Sequence, residues 1–354
     1  MRINKSLFIA ALAAVIVGCN SGGQTTTDNT TKAGQSGGKK FTIALVAKSS
    51  TNPVFLSART GAEDAAKELS KSLGREVAID WRTPAQEDGQ KQAQAIAEAV
   101  NQGDDAVLMS CSDASKVTSA INDAVDKGVP VMTFDSDAAQ SKRFAFYGAD
   151  DIEVGTQVMD ELASQMGGKG VVAILAGNQN APNLQRRAQA VKDEAAKKYP
   201  NIKIIGVVYH PETPQDASQA VVAEMKANPQ ITGWAMVGGW PLFATSLLGD
   251  LDPNKVKVVA VDALPAELAY VDKGIAPVLL AQPTYLWGYH SVNTIVDKVI
   301  NKKDVPVIDK MPLVKVTKEN LGQWAHQLQD WGFKDIDAKY LAMAPNAGDI
   351  VKTK

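Results

Sequence analysis

Little in this chain of 354 residues points to covalent or metal chemistry, for it holds two cysteines and three histidines. With Cys19 modified, as argued below, Cys111 has no partner, which excludes an intramolecular disulfide and a cysteine metal site. Cys111 follows the apolar run Asp105-Ala106-Val107-Leu108-Met109 and reads as a small buried filler. His210, His290 and His326 lack metal-ligand spacing and read as structural or surface residues. The formal net charge is −2, so there is no basic field to draw in nucleic acid. Phosphate-binding signatures are missing too. Gly167-Gly168-Lys169-Gly170 precedes a strand pattern instead of joining strand to helix, and no Gly-x-Gly-x-x-Gly follows a strand. No Ser/His/Asp order stands out. These absences point away from an enzyme and imply neither cofactor nor metal. The apolar run from Leu7 to Val17 is too short for the ~20 residues that a bilayer-spanning helix needs.

That run has a different meaning. It follows the basic start Met1-Arg2-Ile3-Asn4-Lys5 and ends in Gly18-Cys19-Asn20, the pattern of a secretory signal. Ile16-Val17-Gly18-Cys19 resembles the bacterial lipobox, in which cleavage occurs before the cysteine and its thiol takes the lipid. The expectation is a signal peptide over 1–18 and a mature chain exported and lipid-anchored to a bacterial membrane through Cys19, facing the periplasm or the cell exterior. Residues 19–40 are rich in Ser, Gly, Thr, Gln and Asn, too polar to bury a core, and read as a flexible tether with about 25 Å of reach.

The body opens with the strand-like Phe41–Ala47. A helical pattern follows, with Phe55, Ala58, Ala62, Ala65, Ala66, Leu69 and Leu73 at steps of three and four. Val77–Trp81, Ala106–Ser110 and Val129–Phe134 read as further strands, with helices marked by Ala93, Ile96 and Val100 and by Val117, Ile121 and Val125. The rhythm then restarts. Val171–Ala176, Ile202–Val208, Gly233–Val237, Val256–Val261 and Pro277–Ala281 read as strands, Leu184–Tyr199 and Gln215–Ala227 as helices. A helix from Tyr289 to Ile300, the segment Pro312–Val316 and an amphipathic stretch Glu319–Trp331 follow. Short apolar strands alternating with amphipathic helices predict α/β architecture, two doubly wound parallel-sheet lobes.

Ligands of such sheets lie beyond the carboxyl ends of the strands, and two facing lobes make a cleft there. The strand ends carry Lys48 to Phe55, Trp81 to Pro84, Ser110 to Asp113, Asp135 to Asp137, Gly177 to Asn180 ahead of Arg186 and Arg187, then Gly238-Gly239-Trp240, Asp262 and Gln282. Carboxylates, amides and a guanidinium can each hold two neighbouring hydroxyls, and flat aromatics pack on the apolar face of a sugar ring. The set suits a neutral polyol, with Asp135 and Asp262 balanced by Arg187. Taken singly, such an Asp is as often only a helix cap.

In order and spacing these segments resemble the periplasmic sugar-binding proteins of ribose-binding type, from about Phe41 to Val316. The resemblance is carried by Lys48-x-x-x-Asn52-Pro53-Val54-Phe55 after a strand and by Gly128-Val129-Pro130-Val131-Met132-Thr133-Phe134-Asp135-Ser136. It is also carried by Tyr147-Gly148-Ala149-Asp150-Asp151 with Gly155, by Val256–Asp262 and by Ala281-Gln282-Pro283. It implies a periplasmic binding protein of type I, with lobes of 41–147 plus 284–312 and 148–283 plus 313–354. A three-strand hinge would cross near Tyr147–Ala149, Gln282–Thr284 and Met311–Val314. Ligand contacts carried over by position fall on Asn52, Phe55, Asp135, Arg187, Asp262 and Gln282. Lys48 and Ser136 stand where the ribose protein has a hydroxyl residue and a bracing Arg, and Trp240 lies near an amide position, so the ligand's hydroxyl pattern differs from ribose. The loop from Tyr209 to Pro214 receives no assigned contact. The implied role is capture of a monosaccharide or related polyol by a monomer that hands it to an ABC-type permease; a sensor feeding a chemoreceptor or histidine kinase is the alternative. Repressors sharing this body carry a helix-turn-helix ahead of it, where this chain has a leader and a polar spacer.

Overall fold

The structure, a computed structural model, describes residues 38–345 and 348–352. Cys19, the leader and nearly all of the spacer lie outside them.

The first sheet begins with β1 (Phe41–Val46), whose residues are nearly all buried because helices cover both faces. Then come α1 (Pro53–Leu73), β2 (Val77–Trp81), α2 (Gly89–Gln102), β3 (Ala106–Met109), α3 (Ala114–Asp126), β4 (Val131–Phe134) and β5 (Ala145–Gly148). Local chemistry sets the helix ends. Asn52 caps α1 by accepting from Val54 N, Pro53 starts it, and Gly74 ends it with a left-handed φ of 60°. Asp88 and Asp113 cap α2 and α3 in the same way.

The second sheet repeats the plan with α4 (Asp151–Met166), β6 (Gly170–Ala176), α5 (Pro182–Lys198), β7 (Ile202–Tyr209), α6 (Pro214–Ala227), β8 (Gly233–Met236), β9 (Lys257–Val261), α7 (Leu268–Asp272) and β10 (Val278–Ala281). The chain closes with α8 (Thr284–Val299), β11 (Ile308–Lys310), β12 (Val314–Val316), α9 (Leu321–Asp330) and α10 (Ala338–Met343). The two six-stranded sheets have orders β11-β5-β4-β3-β1-β2 and β12-β10-β9-β8-β6-β7, so β4 and β9 hold the same place. The fold is thus α/β with two parallel-sheet lobes. One strand departs from the expected parallel set, for β12 runs antiparallel to β10.

The helix expected from Tyr289 begins earlier, at Thr284, and packs on α1 in the first lobe. Glycines permit that close approach: a Cβ on Gly288 would sit 1.8 Å from the Ala58 carbonyl oxygen, and one on Gly61 2.0 Å from that of Tyr285. The aromatic first turn, Tyr285 and Trp287, masks the helical periodicity because it is buried all round. The chain passes between the lobes at 149–150, where β5 leads into α4, at 282–283, where β10 leads into α8, and at 311–313, where β11 leads into β12; α4 packs on the second sheet and α8 on the first. Among the described residues no helix is long and apolar enough to cross a membrane.

Candidate functional site

Two strand ends carry the same unusual backbone. Asp135, just after β4, has φ 55°, and Asp262, just after β9, has φ 80°. Left-handed backbone is uncommon for any residue but glycine, and Asp tolerates it better than most. At Asp135 the turn is tight enough for Ser136 N to donate to Phe134 O at 2.5 Å. Each turn aims a carboxylate into the cleft instead of letting the chain run on.

Eight of the nine residues singled out in the sequence line one small cavity between the lobes: Lys48, Asn52, Phe55, Asp135, Arg187, Trp240, Asp262 and Gln282. Its volume is about 20 Å³, roughly the room of one water molecule. Entry of a monosaccharide therefore requires the lobes or these side chains to move apart. Ser136 is fully buried but does not line the cavity. Cys19 lies outside the described residues.

Hydrogen bonds hold the carboxylates. Asp135 accepts from Ser110 Oγ at 2.8 Å and, across the cleft, from Asn183 Nδ2 at 3.0 Å. Asp262 accepts from Gln282 Nε2 at 2.9 Å and Gly239 N at 3.2 Å. Burial pushes the Asp262 carboxyl above its ordinary range, against the pull of Gln282 and Arg187. Arg187 is balanced differently from the expectation. Its closest carboxylate is Asp151, 2.9 Å from Nε, whereas Asp135 stands 3.9 Å away. Asp151 opens α4, which packs along α5, so tertiary contact brings it in. Arg187 also donates to Gln282 Oε1 at 2.9 Å and to the Val237 carbonyl at 3.3 Å. Burial works against its charge, but Asp151 and Asp135 outweigh it and hold the guanidinium ionised.

The aromatic wall is Phe55, stacked on Trp287 at 6.0 Å and edge-on to Phe134 at 6.4 Å, with Trp240 and Phe243 opposite. Lys48 Nζ lies 5.9 Å from the Phe55 ring. The same ammonium is 3.6 Å from Glu212 and 3.9 Å from Glu87. Burial alone would lower the Lys48 pKa, yet the two carboxyl groups raise it above the usual lysine range. Glu87 belongs to the first lobe and Glu212 to the second. Burial and the neighbouring Glu212 charge push Glu87 well up; Lys48 and a hydrogen bond from Glu87 bring Glu212 down despite its own burial. The pair thus holds a proton on Glu87 beside an ionised Glu212. Asn178 Nδ2 adds a further bond across the cleft, to Glu87 at 3.1 Å, and Trp240 Nε1 donates to Glu212 at 3.2 Å.

Ser110 and Asn178 belong to the strand-end set read from the sequence without an individual role, whereas Glu87, Asn183 and Glu212 fall outside it. Glu87 and Glu212 follow β2 and β7, so the strand-end rule could have found them by extending a few residues further. Asn183 is the second residue of α5, just past the inventoried loop. Cys111 is fully buried, and burial pushes its thiol up to about 12, which leaves it inert.

Residues 43–303 match the family of the periplasmic binding protein domain. The ribose import binding protein of Bacillus subtilis is 33% identical over 168 residues, covering 47% of this chain and 53% of that protein. The xylitol-binding protein of Mycolicibacterium smegmatis is 26% identical over 204 residues, covering 56% of this chain and 57% of its own. The chain thus spans about half the length of these two relatives. Among solved structures, GanP, a glucose-galactose binding protein from Geobacillus stearothermophilus, shares the fold. Its TM-score is 0.73 at 24% identity, over 80% of this chain and 99% of that one.

Proposed function

Since the chain belongs to the periplasmic binding protein domain family, a family of binding proteins rather than enzymes, we propose that it captures a monosaccharide or related polyol in the cleft between its lobes. The observation that carries this reading is the meeting of Asp135, Arg187, Asp262 and Gln282 from both lobes beside Phe55 and Trp240. Each polar group offers two hydrogen bonds to neighbouring hydroxyls, and the rings offer a flat apolar face. The names of the ribose- and xylitol-binding relatives support the same ligand class.

The working cycle follows from the three chain crossings. Opening exposes Asp135 and Lys48 on one lobe and Arg187, Trp240, Asp262 and Gln282 on the other. The polyol replaces the water that solvates them, and closure buries it. The closed protein then docks on an ABC-type permease, working as a monomer held near a bacterial membrane by a lipid on Cys19. The leader sequence supports the anchor. Inhibition of lipoprotein processing with globomycin should change the size of the protein in cells; an unchanged size removes the anchor. Permease and ATPase genes beside this one would favour import over sensing.

A thermal-shift screen of the full chain in mild detergent, against pentoses, hexoses and inositols, tests the ligand class. At least one polyol should raise the melting temperature by several degrees. A response to amino acids or nucleosides alone would overturn the reading.

A further inference from the structure

Beside the small inner cavity lies a second one of about 640 Å³, lined in part by the exposed Thr51, Gln86, Gln179 and Tyr209. Glu212 lines both, so its side chain stands between them. The outer cavity has the room usual for a small-molecule site, about 300–1,000 Å³. The inner one holds only about 20 Å³.

What separates the two is built from both lobes. Glu212 belongs to the second lobe and is fixed there, accepting from Asn178 N at 3.1 Å and from Trp240 Nε1 at 3.2 Å. It packs so closely on Gly177 that a Cβ on that glycine would sit 2.5 Å from the Glu212 side chain. Asn178 is held as well. Its Oδ1 accepts from Asn180 N at 2.9 Å, and its Nδ2 donates across the cleft to Glu87 at 3.1 Å. The first lobe brings Glu87 and Lys48, whose ammonium lies 3.6 Å from Glu212 and 3.9 Å from Glu87. The side chains of Lys48, Glu212 and Glu87 are 3%, 4% and 11% exposed, so little water enters the seam. With the proton on Glu87, one ammonium faces one carboxylate, and the seam closes without surplus charge.

We infer that Lys48, Glu87, Asn178 and Glu212 determine specificity by size: they form a wall across the cleft that limits the ligand to one ring or one short polyol chain. The inference rests on the polyol reading above and narrows its substrate class. A single ring beside Asp135 and Asp262 stays behind the wall, which forms again as the lobes close. A second ring linked to it and reaching into the outer cavity would hold Glu87 away from Asn178 and Lys48 away from Glu212. Parting a buried ion pair in this way costs about a hundredfold or more in affinity.

The test is calorimetric titration of the full chain in mild detergent with D-ribose, D-xylose, L-arabinose, D-glucose, D-galactose, xylitol and myo-inositol. Each binder is then compared with derivatives that carry one glucose ring on each hydroxyl in turn. In the parent protein every derivative should bind at least thirtyfold more weakly than its single-ring or single-chain parent compound. In Glu87→Ala or Asn178→Ala that gap should narrow at least fivefold for one derivative, because the outer cavity then admits the second ring. Glu87→Gln, which keeps the bulk and an acceptor for Asn178, should not narrow it. A smaller gap in the parent protein overturns the inference and makes the outer cavity a second sugar subsite. A gap unchanged in both alanine variants, or narrowed equally by Glu87→Gln, overturns it too, while the polyol reading stands. If no compound in the panel binds, the polyol reading fails and this inference fails with it.

Discussion

The two lobes place an aspartate at the same point of the same winding, yet they hold it differently. Asp262 draws its donors from Gly239 in its own lobe and from Gln282 at a crossing between lobes. Asp135 has one donor at home, Ser110, and one across the cleft, Asn183, with Arg187 beyond. One carboxylate is therefore set before the lobes meet, and the other is completed by their meeting. The difference teaches where binding and closure are coupled. A ligand touching Asp262 meets a preorganised group, while a ligand touching Asp135 takes the place of, or adds to, contacts that close the protein.

Arg187→Ala is the severest way to break this comparison, because Arg187 reaches toward both aspartates. It leaves Asp135 and Asp262 buried without their cation, although Asp151 keeps Arg186 at 2.5 Å. Stability should fall by about 3 kcal/mol or more in urea denaturation, and polyol titration should become silent. Next come Asp135→Ala and Asp262→Ala. Each should weaken binding about a hundredfold or more, the usual cost of removing one side of a buried charged contact. The ligand-free melting temperature should fall further for Asp262→Ala, whose partners are left unpaired even when the lobes part. Equal falls would break the comparison.

Asn183→Ala removes a cross-lobe bond from Asp135 and should cost about 1 kcal/mol. Its signature is a more open ligand-free protein by small-angle scattering, with the ligand-saturated form unchanged. Ser110→Ala, of similar hydrogen-bonding cost, should leave the scattering alone.

The smallest effect sharpens the pH dependence. Glu87 binds its proton more tightly in the closed fold than in the unfolded chain, whose glutamates titrate near 4.5. Between that value and the raised one, the folded state holds a proton that the unfolded state has released, so stability falls as pH rises. Glu212, with its pKa lowered, acts in the opposite sense as pH falls below 4.5. Glu87→Gln keeps an acceptor for Asn178 and a donor toward Glu212 at every pH. It should raise the neutral-pH melting temperature by a few degrees and flatten the slope between pH 5 and 7. A slope unchanged from the parent would remove Glu87 as its source.

Much of the fold was legible because strands buried on both faces must be apolar, and the helices between them must show one apolar stripe. The exceptions share a cause. β5 and β11 are short, and α8 begins in aromatic residues buried on every side, so neither offers a period to read. Among site residues, those directly at strand ends were legible. Asp151 escaped as the ion-pair partner of Arg187, since 36 positions separate them and only the packing of α4 on α5 joins them.

By itself the sequence determined two repeated windings, the strand ends that bear chemistry, and the chemical type of each side chain there. Those follow from local periodicity, capping and residue identity, which do not depend on distant neighbours. The tertiary structure alone decided which charges meet. Burial and cross-lobe distance place the proton of the Glu87 and Glu212 pair on Glu87, and they tie Arg187 to Asp151. Electrostatic balance depends on separation and solvent exclusion, and both are set only when the two lobes come together.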